Sequence, residues 1–164
     1  QQSVATLVGT VVEGVDVYDS NKAVCDMCLK YLERVNQVLD RTPFKVAYRT
    51  RNELLLYVVN NLPYNRSADS ETLPQEYVIA KALDEITNMK ILSRIEGDET
   101  KVHKDFLDRL VQTIKEGLSS ISHLQYGAES MEGDDNKIEK SISIAKLEEM
   151  TKKLTETGYT SYWS

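Results

Sequence analysis

The sequence predicts a mainly α-helical fold, an irregular bundle of about five helices with a short strand-like segment at the N-terminus. Apolar residues recur at spacings of three and four along most of the chain, which is the pattern of amphipathic helices. No repeat of fixed period is present, so the helices are not expected to stack as a solenoid. With 164 residues, of which 41% are hydrophobic, the chain is long enough to bury one core of its own.

Two parts are expected, an extended N-terminal segment at residues 1–18 and a helical domain at residues 19–164. The N-terminal segment is dense in Val, Thr and Leu and is interrupted by two glycines, a composition typical of short strands or extended chain. The helical periodicity begins after Asp19 and Ser20, and either residue is suited to cap the first helix.

Proline, glycine and polar stretches indicate the boundaries of the other helices. Pro43 ends the first helix, which runs to about residue 39, and Pro74 has a favoured first position for the third. Gly158 has the position of a left-handed helix stop. We expect Tyr159 and Trp163 of the short tail to fold back onto the helices, because an exposed terminal Trp is unfavourable. The helices after the first are predicted at about residues 48–60, 74–92, 99–122 and 137–157.

Acidic side chains are expected at the surface. Residues 125–136 form an acidic, glycine-containing stretch that suits a solvated loop. Neighbouring carboxylates such as Asp84 and Glu85 point in different directions on a helix, so they form no ready acid–base dyad. We therefore expect both on solvated faces.

The composition argues against several classes of function. A net charge of −6 disfavours an extended DNA- or RNA-binding surface, and no apolar run approaches the roughly 20 residues that cross a bilayer. Cys25 and Cys28 form one C-x-x-C without a second pair for zinc, and we expect both to be reduced on an apolar helix face, consistent with a cytoplasmic protein. His103 and His123 are expected at the surface or at helix ends, so no metal site is predicted.

No phosphate-binding loop is present in the sequence. Such a loop needs clustered glycines and a Lys-Ser or Lys-Thr pair at a helix start, whereas the seven glycines here are widely scattered. If this chain has a nucleotide-dependent role, it is therefore expected to assist catalysis that another protein segment carries out. The chain begins Gln1-Gln2-Ser3 without an initiator Met, which favours a fragment of a longer protein.

Three strings carry a resemblance to one family. They are PFKVAYRTRNEL at residues 43–54, ALDEITNMKILSRIEGD at residues 82–98 and KLEEMTKKLTETGYTSYW at residues 146–163. Together they resemble, in order, the C-terminal region of McrB-like AAA+ ATPases, the ATPase or GTPase subunits of methylcytosine-specific restriction systems. Ser93 departs from the family pattern, which often has Pro there, and the opening Leu7-Val8-Gly9-Thr10 lacks the Asn of a sensor strand.

The resemblance implies that the chain is the helical lid over a nucleotide held by a preceding AAA+ core. It implies ATP or GTP with Mg²⁺ in the parent protein, a homo-oligomeric ring, and a nuclease subunit as partner. Arg49 matches the position of the arginine that senses the nucleotide phosphates, where a guanidinium forms paired charge-assisted bonds. Asn52 and Glu53 are expected to support the lid helix, by capping or by pairing with a basic side chain.

Two alternatives remain open at the level of sequence. Arg49 and Glu53 are i,i+4 neighbours, so Arg49 could instead form a solvated salt bridge worth a few tenths of a kcal/mol, about 0.3 to 0.5. The chain could also be a stand-alone helical protein-interaction module that binds no nucleotide. In that case its helices would bury their apolar faces within the bundle, whereas a lid would leave an apolar patch for the missing core.

Overall fold

Five helices form the body of the computed structural model, which describes residues 17–133 and 135–163. The helices are α1 Lys22–Leu39, α2 Tyr48–Asn61, α3 Gln75–Lys90, α4 Lys104–Ser122 and α5 Ile142–Thr157, with a single 3₁₀ turn at Leu92–Arg94. Four three-residue strands accompany them, β1 Glu96–Asp98, β2 Gln125–Gly127, β3 Ile138–Lys140 and β4 Tyr159–Ser161. The predicted mainly helical bundle is therefore confirmed.

Helix α3 lies at the centre of the bundle and packs against α2, α4 and α5, while α1 packs against α2 and α4. The apolar residues at spacings of three and four are the ones that these contacts bury, so one contiguous core runs through the bundle. Within it, the Tyr31 hydroxyl on α1 shares a 2.8 Å hydrogen bond with the Thr87 hydroxyl on α3. This bond satisfies two polar groups that the core would otherwise isolate.

The first helix begins later than expected. Its N-cap residue is Asn21, which makes no side-chain capping bond, so the predicted cap by Asp19 or Ser20 is wrong. Residues 17–20 already form a helical turn, and Asn21 Nδ2 donates to the carbonyl of Val17 at 3.1 Å. The predicted extended segment is thus wrong at residues 17 and 18, and its remainder lies outside the described residues.

The fourth helix also begins later, at Lys104 instead of about residue 99. Asp98 turns the chain because its carboxylate accepts hydrogen bonds from the Thr100 amide at 3.0 Å and the Thr100 hydroxyl at 2.6 Å. These same bonds hold the pKa of the exposed Asp98 below its usual value. His103 is the N-cap residue of α4, and His123 ends the helix in a left-handed conformation, so both histidines are at helix ends.

The fifth helix starts at Ile142, after a strand that the sequence did not indicate. Residues 137–141 are not helical: β3 pairs in parallel with β2, and the Ser141 hydroxyl caps α5 by accepting from the Ile144 amide at 3.1 Å. Residues 125–136 therefore include β2 and are not entirely loop. The predicted end at Gly158 is confirmed, with a φ of 78° and its amide donating to the Leu154 carbonyl at 2.8 Å.

The C-terminal tail returns to the bundle as a strand. β4 pairs antiparallel with β1, and the Tyr162 hydroxyl donates to Asn88 Oδ1 on α3. Tyr159 and Trp163 stay 47% and 76% exposed, so the expectation that these two side chains would be covered is wrong. The tail instead buries Thr160 and Ser161, while Tyr159 at the start of β4 and Trp163 beyond its end face the solvent.

The two cysteines occupy the apolar face of α1, as predicted. Both are buried and free, and burial raises the pKa of the Cys28 thiol to about 12. A thiol with so high a pKa carries little thiolate at neutral pH and is a poor nucleophile. Their contribution is therefore packing.

Candidate functional site

The surface around the start of α2 gathers basic side chains in a protein that is acidic as a whole. We call this surface the basic end and define it by Lys45, Arg49, Arg51, Lys90 and Arg94, all exposed or half-buried. Antiparallel packing brings the start of α2 beside the end of α3. The contacts that fix this arrangement are those of Glu53 with Lys90 at 3.8 Å and of Arg94 Nη1 with the Lys45 carbonyl at 3.2 Å.

The chain before α2 is anchored so that the helix emerges at the surface. Phe44 and Val46 are buried in the core, and the Val46 amide donates to Asn36 Oδ1 on α1 at 2.8 Å. Ala47 follows in extended conformation as the N-cap residue, and Tyr48 begins the helix with its side chain exposed. The first turn of α2 is thus held rigidly with its outer side open to solvent.

That first turn lacks the features that normally stabilise a helix start. Ala47 has no side chain that can accept a hydrogen bond, and the first turn contains no acidic residue. It contains Arg49 and Arg51 instead, whose charges are unfavourable near the positive end of a helix dipole. A bound anion would remove this penalty, because free amides and guanidinium groups would then face a negative charge.

The Arg49 side chain is exposed and makes no hydrogen bond or ion pair with any residue in the ranges 17–133 and 135–163. The alternative pair with Glu53 is not formed, because Glu53 Oε2 is directed to Lys90 Nζ on α3 at 3.8 Å. Glu53 therefore pairs with a basic side chain between two helices. Arg51 differs from Arg49 in that its guanidinium lies over the Tyr48 ring, 5.2 Å from the centroid.

Asn52 has a different place from the one its expected capping role requires. It is the fifth residue of α2 and is half-buried, whereas the N-cap position belongs to Ala47. Within the part of the chain that the structure describes, its side chain makes no hydrogen bond that would support the helix. Capping of α2 by Asn52 is therefore wrong.

Exposed aromatic and apolar side chains lie at the same end of the molecule. Trp163 Nε1 donates to the Ser93 carbonyl at 3.1 Å, and the Ser93 hydroxyl donates to the Met89 carbonyl at 2.6 Å. These bonds bring the tail to the end of α3. Tyr48, Met89 and Trp163 are each more than 40% exposed, at 59%, 45% and 76%.

A second polar cluster, which the sequence did not reveal, joins α3 to the start of α5. Asp84 is only 6% exposed and accepts hydrogen bonds from the Ser141 hydroxyl at 2.7 Å and from the amides of Ile142 and Ser143 at 2.9 and 3.1 Å. The expectation that Asp84 is solvated is wrong. Burial raises the pKa of its carboxyl, although these bonds act in the opposite direction.

The role of the cluster is structural, because both carboxylate oxygens of Asp84 already accept hydrogen bonds from the protein. Asp84 caps α5 from another helix, and the Ser143 hydroxyl returns a bond to the Asp84 carbonyl at 2.8 Å. The signal in the sequence was the pair of serines around Ile142 at a helix start. A pairing across 57 residues cannot be read from that signal alone.

Neither a metal cluster nor a membrane-spanning helix is found in the described ranges. Across residues 17–133 and 135–163, no three His, Cys, Asp or Glu side chains converge as metal ligands would. In those same ranges, none of the helices combines the length and the apolar character needed to cross a bilayer.

The fold and the basic end together define a mainly helical bundle with a cationic surface at one end. The chain belongs to the family described as a domain of unknown function, DUF8727, which matches residues 9–159. No curated protein and no solved structure matches the chain.

Proposed function

We propose that this chain is the helical lid of an McrB-like AAA+ nucleotide hydrolase, and that Arg49 contacts the nucleotide phosphates from the lid. One observation carries the proposal: an arginine without an intramolecular partner among the described residues occupies an uncapped helix turn free of acidic residues. The resemblance of residues 43–54, 82–98 and 146–163 to such lids supports the same assignment.

The chemistry of the basic end suits part of a triphosphate site. Its guanidinium groups and helix amides favour anions, and a positioned arginine favours the charge that develops on the transferring phosphoryl group. The described residues offer no converging carboxylates for Mg²⁺, and the sequence has no phosphate-binding loop. The preceding AAA+ core would supply both, together with the bound ATP or GTP and Mg²⁺.

The assembly that follows from this proposal is a ring of identical subunits in the cytoplasm, with a nuclease as the partner driven by hydrolysis. Exposed Tyr48, Met89 and Trp163 give the basic end an apolar component, which a neighbouring core would cover. The chain alone carries out no catalysis in this scheme. Direct contact of this chain with DNA is not part of it, because the net charge is −6.

The first test uses the longest natural reading frame that contains this chain. It should encode a Walker-type phosphate loop upstream of Gln1, and Arg49→Ala should then lower nucleotide turnover about tenfold or more. Arg109→Ala is the matched control, since Arg109 is an exposed arginine on α4, away from α2. Absence of the loop, or unchanged turnover in Arg49→Ala, would contradict the proposal.

A second test uses the chain by itself. Because the lid alone supplies only one side of the site, it should bind neither ATP nor GTP tightly in the presence of Mg²⁺ and should hydrolyse neither. Isothermal titration calorimetry measures this directly. A dissociation constant of about 1 μM, equivalent to about 8 kcal/mol of binding free energy, would show that the site is complete without a core.

A stand-alone protein-interaction module is the second candidate. It is favoured by the way the helices bury their apolar faces against one another in a single contiguous core, with the tail completing the packing. This candidate predicts that Arg49→Ala has no effect on any nucleotide-dependent activity of the natural protein. Turnover measurements on the Arg49 and Arg109 variants therefore distinguish the two candidates.

A further inference from the structure

A groove of about 340 Å³ lies between α1 and α4, and none of the residues that line it belongs to the basic end or to the Asp84 cluster. Each helix contributes residues at spacings of three and four, which share one face of a helix. The lining residues are Arg34, Gln37 and Val38 on α1, and Arg109, Gln112 and Thr113 on α4. We call this feature the α1–α4 groove.

The two helices run antiparallel, and contacts at both ends of the groove hold them together. At one end, Arg34 Nη2 donates to Glu116 Oε1 at 3.0 Å. At the other end, Phe44, which follows α1, stacks on Phe106 of α4 with ring centroids 6.2 Å apart. The lining residues of both helices lie at or between these contacts, so the protein itself fixes the walls of the groove.

One carboxylate, that of Glu116, lies beside the groove without lining it. Its Oε1 accepts from Arg34, and its Oε2 accepts from Gln112 Nε2 at 2.9 Å, so both oxygens are engaged by the protein. The bond to Glu116 uses one of the five N–H donors of the Arg34 guanidinium. The other N–H groups of Arg34 are open to a ligand.

Arg109 provides a positive charge that the protein does not neutralise. Its side chain is exposed and makes no hydrogen bond or ion pair within residues 17–133 and 135–163. Asp105 is an i,i+4 neighbour but forms no ion pair with it, and Asp108 is directed to Lys104 at 2.8 Å. None of the described residues that line the groove is Asp or Glu. The groove therefore keeps a net positive charge even when Glu116 is counted, in a chain whose net charge is −6.

The other lining residues are mostly neutral and polar. The side chains of Gln37 and Thr113 make no hydrogen bond to any other residue that the structure describes, so an amide and a hydroxyl are open to a ligand. Val38 is the apolar member and is 9% exposed. None of the described lining residues is aromatic, so the groove offers no ring on which a nucleobase could stack.

Size and chemistry together indicate a class of ligand. The volume lies within the range of small-molecule sites, roughly 300 to 1,000 Å³, and equals that of roughly eleven water molecules, which is more than a phosphate ion alone would fill. Guanidinium groups match the oxygens of a phosphoryl group, and amide and hydroxyl groups match alcohols. The small apolar surface disfavours a hydrophobic ligand.

We propose that the α1–α4 groove binds a sugar phosphate. Arg109 and Arg34 bind the phosphoryl group, and Gln37 and Thr113 form hydrogen bonds with the sugar hydroxyls. This inference is independent of the proposed nucleotide role, because the groove shares no residue with the basic end.

The test is a titration of the complete chain with glucose 6-phosphate, followed by two-dimensional ¹H–¹⁵N NMR. Because Arg109 and Gln37 are exposed, we expect a dissociation constant of about 0.1 to 1 mM, with amide shifts that map to α1 and α4. Glucose should bind at least about tenfold more weakly, because it lacks the phosphoryl group. Inorganic phosphate should bind at least about threefold more weakly, because it leaves the amide and the hydroxyl of the groove unused.

Two substitutions test the assigned roles. Arg109→Ala should weaken binding of glucose 6-phosphate at least about tenfold, and Thr113→Val, which keeps the shape of the side chain, about threefold. Lys152→Ala is the matched control, since Lys152 is an exposed lysine on α5 outside the groove and its substitution removes the same charge. It should weaken binding by less than about twofold. The NMR spectrum of each variant reports its fold.

Four outcomes would overturn the proposal. One is the absence of shifts on α1 and α4 at about 10 mM glucose 6-phosphate, roughly ten times the weakest expected dissociation constant. Equal binding of inorganic phosphate would reduce the groove to a general anion site, and equal binding of glucuronate would assign it to carboxylates. An equal loss in Arg109→Ala and Lys152→Ala would show that only the overall charge matters.

The basic end also carries arginines that suit phosphate, so Arg49→Ala separates the two sites. This variant should bind glucose 6-phosphate as the parent chain does. A loss in Arg49→Ala without one in Arg109→Ala would place the sugar phosphate at the basic end and overturn the groove assignment. The turnover assays of the proposed function contain no sugar phosphate, so Arg109→Ala remains their control. Unchanged turnover in Arg49→Ala would contradict the proposed function and leave the groove assignment intact.

Discussion

Asp84 is the residue on which the junction of α3 and α5 depends. Its two carboxylate oxygens satisfy one hydroxyl and two backbone amides at the start of α5, in a setting from which water is largely excluded. The start of a helix leaves amides without partners, and a buried amide without an acceptor is costly. Asp84 therefore stabilises the fold chiefly by accepting these hydrogen bonds.

We expect Asp84→Asn to lower the free energy of unfolding by about 1 to 3 kcal/mol, although the two side chains have the same shape. One oxygen becomes an NH₂ group, so a donor faces either the Ile142 amide or the donors at the other oxygen. Urea denaturation measures the change. Asp108→Asn is the control, because Asp108 forms an exposed pair with Lys104, and the substitution should change stability by less than about 0.5 kcal/mol.

The same variant gives a pH prediction with a definite sign. Burial raises the pKa of the folded-state carboxyl above its ordinary value of 3.8, so the native state binds the Asp84 proton more tightly than the unfolded state does. The stability from this effect is fully present below that ordinary value and is lost as the pH rises through the folded pKa. The stability advantage of the parent chain over Asp84→Asn should therefore be larger at about pH 4 than at about pH 7.

Unfolding free energies of both proteins across this pH range give the comparison. Because every other carboxyl is shared by the two proteins, their difference isolates Asp84. A difference that grows as the pH rises would mean that the three accepted hydrogen bonds outweigh desolvation, contrary to this prediction.

At the scale of single residues, sequence reasoning succeeded where the environment is local. The burial of Cys25 and Cys28 follows from their spacing on one helix, and the helix-end positions of His103 and His123 follow from the neighbouring breaks. The same reasoning gave the wrong environment for Asp84, because its hydrogen-bond partners lie at the start of α5, and the first of them, Ser141, is 57 residues away in sequence. A charged residue is expected at the surface unless hydrogen-bond donors from a distant part of the chain are known to surround it.

Helices α1 and α4 approach closely at one glycine. A Cβ atom added at Gly117 would lie 2.6 Å from Cδ1 of Tyr31, and the Tyr31 ring is fixed by burial and by its hydroxyl bond to Thr87. The glycine is therefore required by packing between the elements. Glycine is otherwise unfavourable within a helix, by about 1 kcal/mol relative to alanine.

We expect Gly117→Ala to destabilise the protein by about 1 to 3 kcal/mol, because overpacking at Tyr31 outweighs the gain in helix propensity. Thermal and urea denaturation measure the change. Gly133→Ala is the matched control, since its Cβ would meet only the Asn136 carbonyl at an ordinary 3.5 Å. A stabilised Gly117→Ala would mean that the two helices can separate without cost.

At the scale of elements, apolar periodicity was sufficient to predict five helices and the end of α5 at Gly158. It failed at helix starts, where local hydrogen bonds decide. Asp98 turns the chain before α4, and Ser141 caps α5 after β3, a strand that pairs with β2. Three-residue strands have no periodicity of their own, so their existence depends on a partner strand.

At the scale of the whole molecule, the basic end was only partly predictable. The family resemblance indicates Arg49, and its sequence neighbours Lys45 and Arg51 are visible in the same string. The approach of Lys90 and Arg94 was not visible, because it depends on the antiparallel packing of α2 against α3. A surface formed by residues that are distant in sequence can be predicted only once the fold is known.

The tail closes the molecule by joining distant elements. β4 pairs with β1, the Tyr162 hydroxyl bonds to Asn88 on α3, and the Tyr162 ring lies 4.7 Å from Lys146 Nζ on α5. Thr160 and Ser161 are buried by this arrangement. A segment with such contacts belongs to the cooperative core of a domain, not to a fraying end.

Trp163 permits a direct test, because it is the only tryptophan of the chain and lies at the end of the tail. Its ring contacts Tyr162 at a centroid distance of 4.9 Å, so its fluorescence reports the docking of the tail, whereas circular dichroism reports the helices. We expect the two urea transitions to coincide, since tail and bundle unfold as one unit.

In Tyr162→Ala, which removes the contacts to Asn88 and Lys146, the fluorescence transition should move to lower urea than the helical one. Separate transitions already in the parent chain would show that the tail is a local unit, and its bonds to α3 would then contribute little to the stability of the bundle.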